Sequence, residues 1–65
     1  MNEELIERVN KILRNNPHAL DCEIDTLCDI YGSCYQIYDL ITNGETMKVA
    51  KMLVEEEIIT EKHFE

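Results

Sequence analysis

Between Asn15 and Met47 the chain has no lysine or arginine. Nucleic-acid affinity rests mainly on neutralising phosphates, so half the protein lacks the side chains for that contact. The formal net charge of −8 points the same way and also disfavours anionic membrane surfaces. No run of ~18 apolar residues is available to cross a bilayer, and no apolar segment follows a basic start as in a secretory signal. The chain therefore reads as soluble and cytoplasmic. Its three cysteines, Cys22, Cys28 and Cys34, are odd in number and include no Cys-x-x-Cys pair. Reduced thiols suit that pattern better than a disulfide framework. Repeats, linkers and low-complexity tracts are also missing, which leaves residues 1–65 as one small domain. A chain this short buries only ~60% of its unfolded surface and is marginal alone.

What the middle of the chain does contain is acid: Asp21, Glu23, Asp25, Asp29, Asp39 and Glu45. Asp21, Asp25 and Asp29 are spaced four apart, which on a helix stacks like charges into one stripe at a cost in intrinsic stability. The first segment is balanced by contrast, with Glu3, Glu4 and Glu7 against Arg8, Lys11 and Arg14. A front that balances its charges and a middle that does not suggest a surface for something basic.

Apolar spacing predicts an all-α bundle of four short helices, approximately 3–14, 17–31, 34–43 and 46–58. Leu5, Ile6, Val9, Ile12 and Leu13 form one face of the first, which Asn2 can cap. Asn16 and Pro17 supply a cap and a first helical residue for the second. Leu20, Ile24, Leu27, Cys28 and Tyr31 share its inward face, and Gly32 can stop it. Ser33-Cys34-Tyr35-Gln36 matches a capping box for the third helix, whose inward face is Cys34, Ile37, Tyr38, Leu40 and Ile41. Asn43-Gly44 closes that helix and Thr46 can cap the fourth. The apolar residues of the fourth helix spread over roughly 240°, far wider than the ~100° stripe of a surface helix. Such a helix is either central to the bundle or one half of a homodimer seam formed by Val49, Met52, Leu53, Ile58 and Ile59.

Several chemical readings fail on spacing. A calcium loop begun at Asp21 needs Gly at its sixth place and Glu at its twelfth, where the chain has Thr26 and Gly32. His18 and Cys22 could face one metal, but cysteines six apart diverge on a continuous helix unless the Gly32 break folds Cys34 back. No metal or cofactor is expected. Every cysteine sits among acids, the wrong setting for a reactive thiolate, and a chain this short has little room for a catalytic cleft. Helices 17–31 and 34–43 have the outline of a helix-turn-helix, but its second helix offers no Arg or Lys to DNA. Over eight residues, Glu57-Ile58-Ile59-Thr60-Glu61-Lys62-His63-Phe64 resembles the Gly-Ile-Ile-Thr-x-x-Glu-Phe ending of short helical oligomerisation modules of the SHOCT type. Glu57 and His63 replace the Gly and the Glu, and no family is assigned from the likeness.

The expectation is a non-enzymatic protein-binding module, an inhibitor or adaptor. It would set Asp21, Asp25, Asp29, Tyr35 and Asp39 against a basic protein surface, for which a nucleic-acid-binding protein is one candidate. Small acidic nucleic-acid mimics, and phage or mobile-element inhibitors of host or defence machinery, are the analogy from size and charge. The alternative is a structural homodimerisation module that uses the apolar face of the last helix.

Overall fold

Leu5, Val9 and Leu13 recur every fourth residue and are buried together, which defines the inner face of α1 (Glu3–Asn15). The computed structural model describes residues 2–64, and three more helices follow: α2 (Asp21–Tyr31), α3 (Cys34–Thr42) and α4 (Thr46–Glu55). A 3-10 turn, Glu61–Phe64, follows α4. The expected all-α bundle of four short helices is the observed architecture.

α4 occupies the centre. It packs against each of the other three helices, and α2 pairs with α3 beside it. This resolves the wide apolar arc of α4. Val49, Ala50, Leu53 and Val54 are buried and join Leu13, Ile24, Leu27, Ile37 and Ile59 in one core. Part of the expected homodimer seam lies in that core. Val49, Leu53 and Ile59 are consumed by the protein's own core, and Met52 and Ile58 are partly buried against it. A helix with neighbours on three sides needs apolar residues on three sides without any second copy.

The helix ends depart most from expectation. Pro17–Leu20 form a turn, so α2 starts at Asp21. The side chain of Asn16 accepts a hydrogen bond from the His18 amide (3.1 Å), and its carbonyl accepts one from the Ala19 amide (3.0 Å). An Asx turn of this kind competes with helix initiation. Neither Asn2 nor Ser33 makes a side-chain capping bond, so the capping box at Ser33 is not formed. Thr46 is the first residue of α4 rather than its cap. Its buried hydroxyl donates to Asn10 Oδ1 (2.6 Å) and ties α4 to α1. Such a bond contributes about 1 kcal/mol net.

α3 and α4 end in the same motif. In α3, the Gly44 amide donates to the Ile41 carbonyl and the Glu45 amide to Leu40 (3.1 and 2.8 Å). In α4, the Glu57 amide donates to Val54 and the Ile58 amide to Leu53 (both 3.0 Å). These paired bonds are those of a Schellman cap, which requires a left-handed residue at its turning point. Gly44 takes that conformation at φ 83° without cost, whereas Glu57 takes it at φ 59° with a side chain. The terminal turn then docks on α1, where Arg8 lies over the Phe64 ring at 4.6 Å.

Candidate functional site

The fold sorts the charges. All six basic residues lie on α1, α4 and the terminal turn: Arg8, Lys11, Arg14, Lys48, Lys51 and Lys62. α2 and α3 carry Asp21, Glu23, Asp25, Asp29 and Asp39 with no basic residue among them. The basic-free stretch of sequence has become one layer of the molecule, because α2 and α3 pair with each other.

Asp21, Asp25 and Asp29 are exposed on α2, one per turn, so the stripe climbs ~6 Å at each step. Asp21 lies in the first turn, where the helix dipole favours an acid. Asp29 lies near the last turn, where the dipole disfavours it and no basic residue compensates. The stripe borders α3. Tyr38 is half-buried there, and burial, followed by the charges of Asp21 and Asp25, raises its phenol above the ordinary value. On the outer side of α3, Tyr35 and Asp39 are both exposed one turn apart, and Tyr35 is 85% exposed. Asp21, Asp25, Asp29, Tyr35 and Asp39 therefore all belong to the α2–α3 layer and all reach solvent.

No protein-family model, curated protein or solved structure matches this chain.

The thiols are placed differently from expectation. Cys28 is buried, as its apolar spacing implies, but Cys34 is exposed rather than inward. The Gly32 break, with φ 73°, turns α3 back on α2, and Cys34 comes within hydrogen-bonding reach of Cys28. Burial pushes the Cys28 thiol from the ordinary 9.0 up to about 12, helped by that bond and by the charges of Asp25 and Asp29. Cys28 stays protonated at neutral pH, the opposite of an activated nucleophile. Among the described residues no three His, Cys, Asp or Glu side chains converge as ligands for a metal ion. None of their helices is long and apolar enough to cross a membrane.

Spacing alone missed two exposed residues. Ile30, which is not on the inward face of α2, is 51% exposed. Tyr31, expected at the core or its rim, is 46% exposed and donates its hydroxyl to Glu56 Oε2 (3.2 Å). Partial desolvation of the phenol, that bond and the nearby charges of Glu56 and Glu55 raise its pKa. A helix as short as α2 cannot cover its C-terminal turn from every side, and position on a helical wheel does not encode that.

Proposed function

We propose that this protein is a non-enzymatic binding module that docks the acidic α2–α3 layer on a basic surface of another protein. The observation that carries the reading is the segregation of charge. Solvated helices ordinarily mix signs, and this chain does so on α1 but not on α2 or α3. Asp25 and Asp29 add to the case because both sit where a purely structural helix gains nothing from an acid. Asp21, Asp25 and Asp29 form the rod of charge, with Tyr35 and Asp39 beside it as the aromatic and acidic rim. Tyrosine next to charge is a common interface anchor.

A row of carboxylates on a rigid rod also resembles a row of phosphates. A basic groove of a nucleic-acid-binding protein is accordingly the favoured target, and inhibition or adaptor action within the cytoplasm follows from occupying it. Phage or mobile-element inhibitors of host or defence machinery remain the analogy of size and charge. Electrostatic steering would speed association and weaken with salt. The test replaces Asp21, Asp25 and Asp29 together by Asn and repeats affinity capture from native-host lysate at low and high salt. Loss of a salt-sensitive partner with helix content intact is the expected result. Capture that survives both the substitution and high salt would overturn the proposal.

A further inference from the structure

Tyr35 presents an unpartnered aromatic ring at the edge of the acidic layer. At 85% exposure it is the most exposed of the large hydrophobic residues among those described. Among the described residues no lysine or arginine lies over it: all six basic residues are on α1, α4 and the terminal turn, and Arg8 is stacked on Phe64. Asp39 lies one turn further along the same outer side of α3. An open π face with a carboxylate one turn away is suited to a guanidinium, which can stack on the ring and bond the carboxylate through two N–H groups. An ammonium offers only a compact, strongly hydrated charge.

Resting on the docking reading above, we infer that the partner presents arginine rather than lysine to this layer, on a helical segment. A facing helix matches the register of the stripe. Asp21, Asp25 and Asp29 repeat every fourth residue, a rise of ~6 Å, and side chains at every fourth position of a facing helix repeat at the same interval. A partner helix with arginines so spaced can meet each aspartate in turn and lay one guanidinium on Tyr35. Complementary charge supplies the association, and the ring supplies the choice between the two cations.

The test uses two synthetic helical peptides of equal length and charge, with a basic residue at every fourth position. One carries only arginine and the other only lysine, and binding to the full chain is read by fluorescence anisotropy. The arginine peptide should bind roughly threefold more tightly, the size of an exposed cation–π contact. Tyr35→Leu should reduce that ratio and Tyr35→Phe should keep it, with circular dichroism confirming that both variants fold. Equal binding of the two peptides overturns the inference, as does a ratio that Tyr35→Leu leaves unchanged. The Asp21, Asp25 and Asp29 to Asn variant separates the two levels. If it loses both peptides while the wild type binds them equally, the docking layer stands and the arginine preference fails. If it binds both as tightly as the wild type, the docking reading itself fails.

Discussion

The two Schellman caps make an internal experiment, because α3 and α4 close with the same pair of hydrogen bonds around different residues. Gly44 turns the first at φ 83° and Glu57 the second at φ 59°. A side chain in the left-handed region costs ~1–2 kcal/mol, which glycine avoids. Glycine also loses more conformational freedom on folding, a counter-cost of roughly 0.5–1 kcal/mol. Glu57→Gly should therefore stabilise the protein by about 0.5–1 kcal/mol. For a domain of this size that raises the melting midpoint by roughly 3–6 °C. Removing one charge from the Glu55-Glu56-Glu57 run acts in the same direction. Gly44→Ala is the mirror perturbation. A methyl group there meets no atom within 4 Å, so its effect is backbone conformation alone, a loss of about 1 kcal/mol. The double variant should fall near the wild type, since the sites are separate. Urea unfolding followed by circular dichroism, with thermal melts alongside, measures all three. An unchanged or lowered stability for Glu57→Gly, with Gly44→Ala destabilised as expected, would refute the reasoning about Glu57.

Two further outcomes follow from the electrostatics. Asp29→Asn removes a like-charge contact with Asp25 and an acid from the unfavourable end of α2. It should stabilise by about 0.5–1 kcal/mol at low salt, an advantage that shrinks in 1 M salt; a lower melting point would contradict it. Cys28 predicts alkaline instability. Its folded thiol keeps the proton up to about 12 against an ordinary 9.0, so between those values the unfolded chain binds fewer protons and stability falls as pH rises. One such group contributes a slope approaching about 1.4 kcal/mol per pH unit. Urea midpoints just above pH 9 should drop in the wild type and flatten in Cys28→Ala; parallel slopes would remove Cys28 as the cause.

The sequence carried the positions of the four helices because Leu5, Val9, Leu13, Ile24, Leu27, Cys28, Ile37, Val49, Ala50 and Leu53 fall at helical spacings and are buried. It was weaker at the ends, where several side chains compete for the same backbone groups. Asn16 uses its side chain for a turn, Thr46 turns inward to Asn10, and Ser33 makes no capping bond. Glu57 ends α4 with no glycine to mark it, so that helix is shorter than its apolar pattern. The apolar face of α4 was legible, but not whether its own chain or a second copy covers it. Packing of α1, α2 and α3 around α4 settles that for Val49, Leu53 and Ile59. Of the candidate site, the acids were legible one by one. Their union into a layer free of basic residues depends on α2 pairing with α3, which no local spacing encodes.

In the proposed docking a particular face, and not the net charge, recognises a basic partner. Two variants separate these. One changes Asp21, Asp25 and Asp29 to Asn; the other changes Glu3, Glu4 and Glu7 to Gln and removes as many charges from α1. Capture from native-host lysate across a salt series compares both with the wild type. The α2 variant should lose the salt-sensitive partner while the α1 variant keeps it. Equal loss in both would reduce the interaction to net charge, and retention by the α2 variant would exclude the aspartate stripe as the contact.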